Sequence, residues 1–117
     1  MKKVILMSER YENDTCWIEV EGNTAEIGLR KEAVEDAEEF VFVKLPEKDE
    51  RLSGGDVCVT LESSKSTSEV ESPLTGRVTE NNDDVFMNPA LINDSPEKSW
   101  LFRIEIEDHD ELRELKD

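Results

Sequence analysis

Long apolar runs are missing from this 117-residue sequence: no stretch of about 18 apolar side chains occurs, so no segment reads as a bilayer-spanning helix. The opening Val4-Ile5-Leu6-Met7 gives way to Ser8-Glu9-Arg10, which is too short for a signal or anchor. Histidine is nearly absent, and His109 alone cannot supply the usual parts of a catalytic triad or a histidine-built metal site. Cysteine is limited to Cys16 and Cys58, without the CxxC spacing of a zinc ribbon or a thioredoxin-type site. Glycine occurs five times, at 22, 28, 54, 55 and 76, so neither GxGxxG nor GxxxxGK[ST] is present and phosphate cradling has no motif. Positive charge is also scarce. With 14 basic against 30 acidic residues the formal net charge is -16, a field that repels phosphate backbones and anionic headgroups. Nucleic acid and membrane surfaces are therefore set aside as partners. The expectation is a soluble, unprocessed, cytoplasmic protein whose two thiols are reduced and structural.

The length fits one domain, expected to cover residues 1–117. Its dispersed acids read first as a solubility device, with steering toward basic partner surfaces or residence in a salty cytoplasm as the other readings. Carboxylates are abundant, but no spacing singles out an acid/base pair.

Short strand patterns separated by turn signals dominate, which favours an all-β sandwich or barrel with minor helix. Val4-Ile5-Leu6 and Cys16-Trp17-Ile18-Glu19-Val20 bracket a polar turn and suggest an N-terminal hairpin. Ala25-Glu26-Ile27-Gly28-Leu29 and Phe40-Val41-Phe42-Val43-Lys44-Leu45 are further strands, the second stopped by Pro46. Between them residues 30–39 set Ala33, Ala37 and Phe40 at helical spacing, predicting a short amphipathic helix that buries those three. Its charges oppose the helix dipole, with Arg30 and Lys31 at the start and Glu38 and Glu39 at the end.

After the Gly54-Gly55-Asp56 turn, Val57, Val59 and Leu61 alternate with Cys58, Thr60 and Glu62, predicting one apolar strand face. Residues 88–92 read as a helical turn with Asn88 as cap and Pro89 at the first helical position. A last strand runs from Trp100 to Ile106, with Phe102, Ile104 and Ile106 in the core. Asp108 and Glu111 have capping-box spacing for a terminal helix. Trp17 and Trp100 are expected to pack rather than to stack on a ligand, and His109 to be an exposed helix-start residue.

One stretch breaks the pattern. Residues 63–68 are small hydroxyl residues interrupted only by Lys65, between Glu62 and Glu69, and the Ser72-Pro73-Leu74-Thr75-Gly76 turn follows. This is the shape of a hairpin with Lys65 near an exposed tip. A lysine in a polar turn is ordinarily a solvated charge, but an accessible amine among small neighbours also suits an interaction or modification site.

The run Glu62-Ser63-Ser64-Lys65-Ser66-Thr67-Ser68-Glu69, followed by Ser72-Pro73-Leu74-Thr75-Gly76-Arg77-Val78, resembles the lipoyl-attachment hairpin of glycine cleavage system H proteins. Ile27-Gly28-Leu29, residues 40–46, Gly55-Asp56-Val57, residues 88–93, Ser95-Pro96 and Trp100-Leu101 look like family segments in the family order. The resemblance covers about residues 15–107.

It implies a mainly β fold, a barrel-sandwich hybrid of the lipoyl/biotinyl carrier type with short peripheral helices. It implies that Lys65 carries covalent lipoate as N6-lipoyl-lysine, and Ser64 and Ser66, where biotin carriers usually have methionines, favour lipoate over biotin. It implies no catalysis by the chain itself but a lipoyl arm that shuttles a glycine-derived aminomethyl group and reducing equivalents. The partners implied are glycine decarboxylase, aminomethyltransferase, dihydrolipoyl dehydrogenase and a lipoate-attaching enzyme, the last recognising Glu62, Ser63 and Glu69.

The sequence departs from the family's usual pattern in three places. Arg30, Lys31 and Glu32 stand where the family commonly has a Thr-Asp pair and an aromatic or histidine, residues 96–100 form a short link, and Ser66-Thr67-Ser68 replaces Ala-Val-Ser. Arg30 and Lys31 would oppose a cationic cargo if they faced the groove that holds it. An H-like lipoyl carrier serving another pathway, such as sulfur oxidation or lipoate relay, and an unmodified acidic binding module are the alternative readings.

Overall fold

The computed structural model describes residues 8–115. Strands β1 (Glu9–Glu12), β2 (Cys16–Glu21) and β3 (Thr24–Leu29) form an antiparallel meander, followed by one helical turn, α1 (Lys31–Val34). Then come β4 (Phe40–Lys44), the two-residue β5 (Arg51–Leu52), β6 (Val57–Ser63), β7 (Thr67–Glu71) and β8 (Gly76–Asn81). Helices α2 (Asp83–Met87) and α3 (Ala90–Asp94) precede β9 (Phe102–Ile106), and a 3-10 helix, His109–Glu114, follows it.

Two sheets result, a six-stranded one in the order β1-β2-β3-β9-β8-β5 and a three-stranded one in the order β4-β6-β7. Their inner faces meet through Ile18, Ile27 and Ile104 from the larger sheet and Val43, Val59, Leu61 and Val70 from the smaller, all nearly water-free. This is the barrel-sandwich arrangement, mainly β with short peripheral helices. At roughly 25 cal/mol per Å2 of apolar area removed from water, such a shared core is what holds two small sheets together.

The outer face of the larger sheet is covered where Trp17 lies over Gly28, its partner in the β2–β3 register. A Cβ on Gly28 would come within 2.3 Å of the indole ring carbons, so only glycine admits this approach. The indole Nε1 donates to the Pro96 carbonyl at 3.0 Å, so the buried ring leaves no donor unpaired. Trp100 is half-buried and packs under the Arg103 guanidinium, 4.0 Å from the ring centre.

Several expectations need correction. The helix predicted over residues 30–39 shortens to Lys31–Val34, and Ala33 and Ala37 are exposed while Val34 takes the buried position. The dipole-opposed acids at its end favour an early stop, and the chain must extend to feed β4, where Phe40 is buried as a strand residue. Val57 is exposed because the β6–β7 register shifts between Val57 and Val59, turning Cys58 inward beside Val59. Glu111 does not close a capping box. Its carboxylate accepts from the Thr75 N–H at 2.7 Å and the Thr75 hydroxyl at 2.8 Å, while Asp108 alone caps through the Asp110 N–H.

The Val4-Ile5-Leu6 strand lies outside the described residues; the described hairpin partner of β2 is Glu9–Glu12. The strand Phe102–Ile106 buries Phe102, Ile104 and Ile106, and Leu101 rather than Trp100 joins them in the core.

Candidate functional site

Strands β6 and β7 form a hairpin whose tip is residues 64–66, so Lys65 stands at its centre. The turn is closed by Ser63. Its backbone N–H donates to the Ser66 carbonyl at 2.9 Å, and its hydroxyl oxygen accepts from the Ser66 N–H at 3.2 Å. A short polar residue here competes well for local backbone groups, which explains a hydroxyl run where the apolar alternation stops. Ser63 therefore has a turn-building role that its residue type alone did not announce.

Lys65 is exposed over 78% of its side chain, and its Nζ lies 3.2 Å from Glu38 Oε1. The other oxygen of the same carboxylate accepts from the Ser64 hydroxyl at 3.1 Å. Glu38 belongs to the segment joining α1 to β4, and Asn93 of α3 clamps that segment: its Nδ2 donates to the Glu38 carbonyl and its Oδ1 accepts from the Phe40 N–H. Sequence reading missed Glu38, because nothing in a run of acids marks the one that faces the hairpin.

Glu62 pairs with Phe42 on one side and Thr67 on the other, and Glu69 pairs with Thr60, which pairs with Lys44. Cross-strand partners and residues two apart share a sheet face. Glu62 and Glu69 thus come together on the outward face of the smaller sheet, and both are exposed. On the far side of β7 an open groove of about 420 Å3 runs between residues 13–15 and residues 69–71, with Asp14, Glu69 and Glu71 along it. Asn13 holds its wall, accepting from the Thr15 and Cys16 N–H groups at 2.9 and 2.7 Å.

The two cations at the start of α1 do not share that groove equally. Arg30 donates to the Asn13 carbonyl at its rim but is engaged by Glu12 at 3.3 Å and Glu32 at 3.5 Å. Lys31 lines a different hollow, beside Val34 and Pro96.

Cys16 and Cys58 are both free and buried, and burial pushes each thiol up to about 12. Cys58 donates to the Val70 carbonyl at 3.4 Å. His109 is exposed, with Nε2 3.1 Å from Asn23 Oδ1. Among the described residues no helix is long and apolar enough to cross a membrane.

The Ser72-Pro73-Leu74-Thr75-Gly76 turn carries the hairpin back into the larger sheet. Ser72 is buried, its hydroxyl donating to the Leu74 carbonyl at 2.6 Å, and a Cβ on Gly76 would lie 2.0 Å from the Glu105 carbonyl oxygen. The family model described as glycine cleavage H-protein matches residues 9–117. The chain belongs to the glycine cleavage H-protein family.

The glycine cleavage system H protein of Staphylococcus saprophyticus is 38% identical over 107 residues, covering 91% of this chain and 85% of that one. That of Staphylococcus haemolyticus is 37% identical with the same coverage. Among solved structures, a glycine cleavage system H protein from Mycobacterium marinum superposes with a TM-score of 0.78 at 29% identity, covering 84% of each chain. Glycine cleavage H proteins are lipoate carriers, and the folds agree in the barrel-sandwich arrangement described above.

Proposed function

We propose that Lys65 is the lipoyl-attachment residue and that the chain serves as the mobile lipoyl carrier of glycine cleavage. The observation that carries the reading is the lysine at the centre of a three-residue tip, exposed over most of its length and flanked by serines too small to shield it. An acyl donor needs an accessible primary amine, and this tip offers one. A free carboxylic acid does not acylate an amine unaided, so attachment requires an activated donor and a separate enzyme, to which the chain is a substrate.

Lipoate held on Lys65 would supply one-carbon group transfer at sulfur and dithiol–disulfide redox chemistry, which no ordinary side chain provides. The chain's own residues position and shelter. Ser63 fixes the turn, and Glu62 and Glu69 present a paired acidic mark to the lipoate-attaching enzyme. The acid-lined groove beside β7 favours a cationic cargo by charge while leaving it open to solvent. Tethering keeps the reactive sulfurs at roughly millimolar effective concentration before glycine decarboxylase, aminomethyltransferase and dihydrolipoyl dehydrogenase in turn.

The test is intact and peptide mass spectrometry after incubation with a lipoate–protein ligase, lipoate and ATP. One lipoyl adduct on Lys65, lost in Lys65→Arg, is expected. An adduct on Lys44, Lys48 or Lys98 with Lys65 free would overturn the assignment, and no adduct at all would leave an unmodified acidic binding module.

A further inference from the structure

Large apolar side chains left in water gather beside the hairpin. Of the five such side chains exposed among the described residues, four, Val41, Phe42, Phe86 and Met87, come from β4 and α2. Phe42 and Phe86 meet edge to face with ring centres 6.4 Å apart and line a hollow of about 300 Å3 with Leu45 and Pro46. Helix α2 contributes only Val85 to the interior, so it exposes more apolar surface than it buries. Strand β4 is also an edge of its sheet, with no strand on its outer side.

Acids outnumber the one cation, Lys44, in the lining of this hollow. Glu47 and Asp83 line it, and Glu62 stands directly opposite Phe42 across β4 and β6. An apolar centre of aromatic residues inside a polar rim is the usual anatomy of a protein-binding surface. A second copy of this chain is a poor occupant, because each copy brings a net charge of -16 and an acidic rim would face an acidic rim. Charge complementarity calls for a partner that presents an apolar knob ringed by lysine or arginine.

Position along the hairpin says which partner. Glu62 precedes Lys65 by three residues, about 10 Å along an extended strand, and Phe42 lies across from Glu62. An enzyme that acylates the bare amine has to enclose the tip, and a footprint of ordinary size then covers Glu62 and Phe42. A partner that meets the finished arm meets its far end and is free of that requirement. We infer that the Phe42–Phe86 hollow docks the lipoate-attaching enzyme, its aromatic rings taking an apolar knob and its acidic rim the surrounding cations. The inference rests on the assignment of Lys65 as the attachment residue.

The experiment measures attachment rate against concentration of the full chain, with a lipoate–protein ligase, lipoate and ATP, for the native protein, Phe86→Ser, Phe86→Leu and Phe42→Thr/Phe86→Ser. Expected are a KM raised about three-fold or more in Phe86→Ser and ten-fold in the double variant, kcat within two-fold, recovery in Phe86→Leu, and a native KM that rises with salt. Phe86→Ser removes a half-exposed side chain and keeps the test valid should the double variant unfold. A native protein modified on Lys65 alongside a folded Phe86→Ser of unchanged KM overturns the docking surface alone. Absence of any adduct on native Lys65 overturns the attachment reading and this inference with it. Concentration-dependent dimerisation abolished by Phe86→Ser would assign the hollow to a second copy and overturn it too.

Discussion

Glu38 holds two adjacent residues of the hairpin tip, with one carboxylate oxygen 3.2 Å from Lys65 Nζ and the other accepting from the Ser64 hydroxyl. Attachment of an acyl group has to take Lys65 off this carboxylate. Exposed pairs contribute up to about 1 kcal/mol, so the restraint is small. Glu38→Gln is expected to raise the attachment rate, by no more than about five-fold, with an unchanged melting temperature. A slower rate in a lipoylation time course would instead make Glu38 part of the recognition surface.

Where the sequence was legible, and where it was not, follows from which signals are local. The hairpin tip was visible because an apolar alternation that runs out into hydroxyl residues is what a strand leaving the core for a tight polar turn requires. The fold class was visible in the β-prone runs that hold Ile27, Val43 and Ile104; all three are buried, Ile104 as expected. Helix α2 was missed although Asn82 caps it through the Asp84 N–H, because Val85 is its only buried side chain and no helical period can form. Strand β1 was missed for a like reason: Glu9-Arg10-Tyr11-Glu12 has no alternation, and only pairing with β2 makes it a strand. The helix over residues 30–39 reads too long because alanine spacing satisfies a helical period without requiring burial. Glu38 and the groove beside β7 are products of long-range packing, which one strand's sequence cannot announce.

Glu62 is exposed and its side chain faces outward beside Phe42, so it contributes little to the fold. Glu62→Ala should change stability by no more than about 0.5 kcal/mol. The attachment rate should fall several-fold, read from a lipoylation time course beside circular dichroism melts. An unchanged rate would remove Glu62 from the recognition set.

Trp17 over Gly28 sets a test of packing. A methyl group at residue 28 would sit 2.3 Å from the indole, and the ring is held in place by its bond to the Pro96 carbonyl. Relief requires moving either the ring or β3, so Gly28→Ala is expected to destabilise by about 1–3 kcal/mol. Chemical denaturation with tryptophan fluorescence measures it, and a loss under about 0.5 kcal/mol would mean that the ring relocates freely.

The buried thiols predict an alkaline effect. Cys16 and Cys58 are each raised from about 9 to about 12 in the folded protein, chiefly by burial. A raised folded value means that the unfolded chain loses its proton first, so this stabilisation is complete below pH 9 and declines as pH rises from 9 toward 12. The limiting slope is about 1.4 kcal/mol per pH unit for each thiol. Cys16→Ala and Cys58→Ala should each flatten the decline of stability across that window, whatever they do to its level. A slope identical to that of the native protein would show that the thiols ionise equally in both states.

The groove between residues 13–15 and β7 supplies the last prediction. Asp14 and Glu69 stand on opposite walls, one on the turn after β1 and the other on the hairpin that bears Lys65. Two opposite unit charges about 4 Å apart attract by roughly 4 kcal/mol at an effective dielectric of 20, but exposure and salt reduce an open site to about 1 kcal/mol for each acid. Arg30 subtracts little from this, because Glu12 and Glu32 already engage it, and Lys31 lines another hollow. At matched lipoylation, Asp14→Asn with Glu69→Gln is therefore expected to lower glycine exchange by about five- to thirty-fold. Arg30→Thr with Lys31→Asp should change it by less than two-fold. The charge origin has its own signature: raising the ionic strength should lower exchange in the native protein and have little effect in the neutralised pair. A larger effect from the Arg30 and Lys31 exchange than from the groove acids would show that the cargo rests elsewhere.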